Sequence, residues 1–253
     1  MTTALSTPEN RTAVPAHTGS RFSRVLGAVV ALGLGLVAVL GLLISPADEV
    51  QGDAARIMYV HVPSAIVAYL AFGVTALGSA LYLWRRSDFW DATAAASAEI
   101  GVVFTSLTLV TGMLWGKPTW GTYWEWDPRL TTTALLLILF LGYLAVRGIA
   151  AERKVRARRS AIAGLVAFVD VPLVHYSVDW WRSLHQKATI TRLSPTISGI
   201  MLFTLMSGIF VFIGLYLWLL IHRFRVQYLE DELAEGGLAE AIAERRREAG
   251  VAV

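Results

Sequence analysis

The 253-residue chain contains no cysteine. Disulfides, thiolate metal sites and cysteine nucleophiles are therefore excluded. Charge is also scarce: Asp, Glu, Lys and Arg make up 16% of the residues, against about 25% in a soluble domain. Hydrophobic residues make up 55%, and the mean hydropathy is +0.56. Apolar runs of about 20 residues, interrupted by so few charges, define a polytopic membrane protein. The pI near 9.3 does not indicate a nucleic-acid partner, because the basic residues lie mostly beside apolar spans, where they set orientation. No internal repeat is visible.

The apolar runs predict an all-α fold, a bundle of six transmembrane helices with short outward-facing interfacial segments. The spans fall at about 24–44, 62–84, 93–114, 132–150, 160–178 and 196–221. The first is not a cleaved signal peptide, since its core of about 20 residues exceeds the 7–15 of a signal h-region. Residues 1–23 form an N-terminal tail, rich in Ser, Thr, Pro and Ala up to residue 20 and expected to be disordered. Residues 223–253 form a charged, helix-prone tail. Of the 22 Lys and Arg, 16 lie at one set of span ends: Arg11, Arg21, Arg24, Arg85, Arg86, Arg147, Arg153, Lys154, Arg156, Arg158, Arg159, Arg223, Arg225, Arg245, Arg246 and Arg247. The other set holds 6: Arg56, Lys117, Arg129, Arg182, Lys187 and Arg192. The positive-inside rule then places both termini in the cytoplasm and loops 45–61, 115–131 and 179–195 outside.

Tryptophan is concentrated in two of these outward loops. Of nine tryptophans, Trp115, Trp120, Trp124 and Trp126 lie in the first loop, with Tyr123 and Asp127, and Trp180 and Trp181 lie in the second. An interfacial aromatic belt is one reading. Belts usually occupy both faces, however, and a flat aromatic surface flanked by histidine and arginine suits a large planar, anionic, metal-bearing ligand such as haem. Without cysteine, a haem held here is held non-covalently. Gly116, Pro118 and Gly121 are expected to break the first loop. Beyond Trp120, a helix would place Trp120, Trp124 and Asp127 on one face. Asp127-Pro128 is an N-cap followed by proline at N1, the start of span four. Arg129 then sits in the positive first turn of that helix, where a cation is disfavoured. A haem propionate or an acidic side chain such as Glu125 would compensate.

Topology puts two of the five histidines on the outward face: His61 at the start of span two, and His185 before span six. Each is either a polar headgroup residue or one of two axial ligands to an iron. His17 and His222 are read as incidental. Glu99, Asp170 and His175 lie within spans, where ionisable groups are expensive; they are either a buried polar brace or a proton relay. A secondary transporter or proton-coupled permease built on these three residues is the alternative to a haem-handling protein.

The segment Trp115–Thr131, WGKPTWGTYWEWDPRLT, resembles the tryptophan-rich "WWD" signature of bacterial haem-handling proteins. Arg56–Pro63 and His175–Gln186 resemble the histidine segments that flank this signature in its six-span family, CcmC. Three motifs in the same order, over about residues 24–222, carry the resemblance. It implies a protein of the bacterial cytoplasmic (inner) membrane that presents haem b, iron protoporphyrin IX, at the outer face. The role is haem handling rather than enzymatic turnover, with promotion of haem attachment to the chaperone, and no catalytic residue is assigned. The implied partners are the haem chaperone CcmE, the transporter subunits CcmA and CcmB, the small membrane protein CcmD, and membrane lipid. Carried over by position, His61 and His185 are the axial ligands. Trp115, Trp120, Trp124, Trp126 and Asp127 belong to the haem platform, and Arg56 and Arg129 meet the propionates. Tyr123 stands where the family often has a second tryptophan, which keeps a flat ring. The two tails lie outside the resemblance.

Overall fold

A computed structural model describes residues 20–149, 152–185, 197 and 199–248, with the backbone alone for 235, 238–244 and 246–248. The expectation for the N-terminal tail, His17, Gln186 of the second histidine motif, and the basic residues Lys187 and Arg192 lie outside the described residues. Among the described residues the fold is all helical. Six helical segments are long and apolar enough to cross a membrane, in agreement with the six spans read from the sequence. Helices suit this environment because they satisfy their own backbone hydrogen bonds where no water is available.

The helices are α1 (Arg21–Val39), α2 (Met58–Arg85), α3 (Asp88–Trp120), α4 (Pro128–Gly148), α5 (Arg153–Phe168), α6 (Asp170–Trp180) and α7 (Gly199–Glu248). A π-helical turn, Leu40–Ile44, extends α1, and a 3-10 turn, Asp53–Ile57, leads into α2. Helices α2 and α3 form the centre of the bundle. On one side of them, Val67, Ala71, Ile100, Phe104, Phe212 and Tyr216 interlock across α2, α3 and α7. On the other, Phe72 stacks on Phe140, centroids 3.6 Å apart, within a cluster that includes Leu136, Tyr143 and Val174.

Two departures from the sequence reading matter. The fifth span is two helices, α5 and α6, interrupted at Val169. Pro172 explains the break, since its ring has no N–H and would clash with the carbonyl four residues back, at Phe168. Asp170 is left buried at this junction, 5% exposed, with neither carboxylate oxygen hydrogen-bonded among the described residues. In the third span, α3 does not stop at residue 114. It runs through Gly116 and Pro118 to Trp120. Pro118 sits in the last turn, so only the one bond to the Leu114 carbonyl is lost, and the Gly121 amide still donates to the Lys117 carbonyl at 3.0 Å. Gly121 then ends the helix with φ of 82°, a left-handed conformation that glycine adopts without steric cost. Trp120, Trp124 and Asp127 therefore do not share a helix face.

Ion pairs collect at the bundle end that holds most of the arginines. Arg147 and Asp91, both buried, form a fork with N···O distances of 2.7 and 2.9 Å. Arg156 pairs with Asp231 at 2.6 Å and Arg153 with Asp88 at 3.5 Å. Glu99 is taken by Arg223, with one contact at 2.9 Å, which makes it a brace between α3 and α7. Removing one partner of a buried pair strands the other charge at a cost of about 3–5 kcal/mol. Asp91→Ala is therefore expected to lower the melting temperature of the detergent-purified protein sharply. Asp91→Leu/Arg147→Met, which removes both charges, is expected to recover most of the loss. A double variant as unstable as the single one would show that packing, not charge, holds these helices.

Candidate functional site

At the opposite end, a cavity of about 230 Å³ opens between α2, α3, α4 and α6. Its wall carries His61, Tyr69, Thr105, Thr108, Gly112 and Arg129, together with His175 and His185. Two histidines from segments 124 residues apart in sequence thus face one space, as topology suggested.

His61 lies in the first turns of α2. Its Nδ1 is 3.0 Å from the Thr111 hydroxyl on α3. That hydroxyl donates its only proton to the Leu107 carbonyl at 2.7 Å, with the Thr108 carbonyl at 3.2 Å. The Thr108 carbonyl also hydrogen-bonds the His61 ring; with the hydroxyl committed to Leu107, both groups accept towards the ring, an arrangement that suits a proton on Nδ1 and a lone pair on Nε2. Gly112 allows this approach: a Cβ there would lie 3.1 Å from His61 Cε1. Trp115 meets the same ring edge-on, centroids 5.7 Å apart, while its indole N–H donates to Gln51 at 2.7 Å.

His185 reaches the cavity from the segment after α6. Its Nδ1 donates to Asp127 Oδ1 at 2.9 Å, which again leaves Nε2 as the free lone pair. Asp127 caps α4 as the sequence indicated: Oδ1 also accepts from the Arg129 amide at 2.9 Å, and Oδ2 accepts from the Leu184 amide at 2.7 Å. Burial alone would raise the Asp127 carboxyl. The Ser183 hydroxyl, the two amides and His185 together hold it below its ordinary range. Burial pushes the His185 imidazole below its own range, with Asp127 pulling against it. Both directions favour an ionised Asp127 beside a neutral His185 at neutral pH. Trp120 covers His185 edge-on, centroids 4.8 Å apart.

Arg129 lies on the cavity wall. One terminal nitrogen donates to the His175 carbonyl at 3.2 Å, and its Nε is buried without a partner among the described residues. A buried guanidinium N–H without an acceptor marks a place where an anion fits. Glu125 does not supply that acceptor. Trp124 and Trp126 meet edge-on, centroids 5.6 Å apart, and neither lines the cavity; Trp126 is 80% exposed. Tyr176 stacks on Trp180, centroids 5.5 Å apart, and Trp180 meets Trp181 edge-on at 5.9 Å.

Arg56 is not brought to the cavity. Its guanidinium pairs with Asp53 at 2.8 Å and donates to the Gly41 carbonyl at 2.5 Å, which ties the π-turn after α1 to the start of α2. His175, read from sequence as a brace or relay, instead lines the cavity edge-on to Tyr69 and Tyr176, centroids 6.4 and 4.9 Å away. Among the described residues no hydrogen bond links Glu99, Asp170 and His175. The sequence reading did not single out Thr105, Thr108, Thr111 or Gly112. Their signal is a small, polar stripe at three- and four-residue spacing in an otherwise apolar span.

The fold and site define a multi-pass membrane protein with a cavity lined by three histidines and one arginine. The chain matches the CcmC family, described as "Heme exporter protein C", over residues 3–237. It is 42% identical over 205 residues to "Heme exporter protein C" of Haemophilus influenzae, covering 81% of this chain and 82% of that protein. It is 37% identical over 222 residues to "Heme exporter protein C" of Escherichia coli K12, covering 88% and 89%. A "Putative cytochrome c biosynthesis ccmC-like mitochondrial protein" of Arabidopsis thaliana is 35% identical over 199 residues, covering 78% and 75%. The chain belongs to the CcmC family.

Proposed function

We propose that this protein binds haem b non-covalently at the outer face of the bacterial cytoplasmic membrane and delivers it to the chaperone CcmE during c-type cytochrome maturation. The observation that carries the reading is the pair His61 and His185, which face one cavity with Nδ1 engaged and Nε2 available. Two such nitrogens are what a low-spin haem iron takes as axial ligands. Arg129 supplies a partner for a propionate. Trp115 and Trp120 hold the two imidazoles, and Trp124 and Trp126 offer apolar rings where the porphyrin emerges. The cavity is smaller than the 300–1,000 Å³ usual for small-molecule sites, so part of a bound haem projects towards the aromatic loops, where a chaperone can reach it. The names of the relatives support haem as cargo and cytochrome c as its destination. The resemblance to the family supports CcmA, CcmB and CcmD as companions in the membrane.

The test is the absorption spectrum of the purified protein. A Soret band with six-coordinate, bis-imidazole character is expected; well-folded protein that takes up no haem would overturn the reading. Orientation has its own test. The chain lacks cysteine, so Thr119→Cys gives a single label site at the end of α3. Labelling from outside the cytoplasm is expected, and labelling only from the cytoplasm would invert the topology.

Arg129→Gln removes the charge while keeping the backbone amide that Asp127 caps. A lost charge-assisted hydrogen bond costs about 1.5–3 kcal/mol, which corresponds to haem retention weaker by about tenfold to a hundredfold. Thermal stability of the haem-free protein is expected to stay near normal. Arg129→Lys should recover only part, because an ammonium does not form the planar fork. Unchanged retention in Arg129→Gln would remove Arg129 from the site.

A further inference from the structure

The two cavity imidazoles are backed by different chemistry. Behind His185 stands the Asp127 carboxylate, at 2.9 Å from Nδ1. Behind His61 stand the Thr111 hydroxyl, at 3.0 Å with its own proton committed to the Leu107 carbonyl, and the neutral Thr108 carbonyl. Both arrangements fix the same tautomer, but they do not confer the same ligand strength. A carboxylate draws the Nδ1 proton towards itself and makes Nε2 more basic; a neutral hydroxyl orients the ring and adds little negative charge.

We infer that Thr111 is the positioning residue for His61, and that the two ligands are unequal: His185 is the retained ligand, and His61 is the one from which the cargo parts first. The inference rests on the haem reading above. Position points the same way. His61 is part of the helical wall, against Thr111 and Gly112 of α3. His185 lies on the outward segment beside Trp120, tied to the cap of α4 through the Leu184 amide and its own ring. A cargo moving out towards the aromatic loops leaves His61 behind and keeps His185 longest.

Two experiments test this. The first uses the haem-free protein with ¹⁵N-labelled histidine, in which NMR reports the tautomer of each ring. His61 is expected to hold its proton on Nδ1 in the wild type and to move to a mixture or to Nε2–H in Thr111→Val, with Thr111→Ser restoring the wild-type state. An Nε2–H ring in the wild type, or a Thr111→Val spectrum unchanged at His61, overturns the role of Thr111. The second compares haem loss to a scavenger from His61→Gly and His185→Gly, each with added imidazole to fill the vacated position. The His185→Gly protein is expected to lose haem faster, by about tenfold or more. Equal rates, or the reverse order, overturn the inequality. A wild type that takes up no haem sinks the functional reading itself, and the tautomer measurement still reads Thr111 on its own.

Discussion

His61→Ala/His185→Ala protein will insert, fold and carry no stably bound haem. Neither ring is a central packing element: both line the cavity, and neither belongs to the interlocked clusters between α2, α3, α4 and α7. The loss will therefore fall on ligation rather than on the fold. On the proposed bis-imidazole reading each single variant leaves one ligand, so the spectrum should change from low-spin to a five-coordinate form, and added imidazole should restore it. His222→Ala is the matched control. That ring packs on Trp218 at the ion-paired end, centroids 4.7 Å apart, well away from the cavity, and its loss should leave haem content unchanged. One outcome would redirect the assignment. His175 lines the same cavity, so a low-spin spectrum that survives in the double variant but disappears when His175→Ala is added would make His175 a ligand.

The features legible in the sequence were those set by composition and by local chemistry. Six spans follow from apolar runs, whatever their mutual packing. Asp127-Pro128 starts a helix because a side-chain cap and a residue without N–H both belong there. His61 and His185 share a face because the number of crossings between them fixes the side on which each emerges. What was not legible depended on approach between distant segments. Pro118 reads as a breaker, yet in the final turn of α3 it removes one hydrogen bond and the helix continues to Trp120. Arg56 reads as a free outward cation. Its partners are Asp53 and the Gly41 carbonyl, which lies in a last helical turn, where carbonyls have no intrahelical donor. Thr111 reads as an ordinary residue of an apolar span, and its role exists only because α2 and α3 pack closely enough to bring His61 against it. The arginine that does face the cavity, Arg129, was marked in advance by its awkward place in a positive helix turn.

Asp127→Ala is expected to have the broadest effect of any single substitution in the site, because one carboxylate performs three tasks. It caps α4 through the Arg129 amide, anchors the segment after α6 through the Leu184 amide, and holds the His185 ring. Loss of an N-cap costs about 1 kcal/mol. A part-buried amide left without its charged acceptor costs about 1–3 kcal/mol more. The haem-free protein should therefore melt lower by an amount corresponding to about 2–4 kcal/mol. Haem retention should fall further than stability does, since His185 loses both its tautomer and its basicity; removing such an outer partner typically weakens binding by about 10–100-fold. Asp127→Asn separates the tasks. Its carbonyl oxygen still accepts from the Arg129 amide and His185, so most of the cap survives. Its amide group faces the Leu184 N–H as a donor, and it carries no charge to strengthen the imidazole. Near-normal melting with weakened haem retention is the expected result for Asn, and the loss of both for Ala. Wild-type haem retention in a folded Asp127→Ala protein would reduce this residue to a helix cap with no part in the ligand strength of His185.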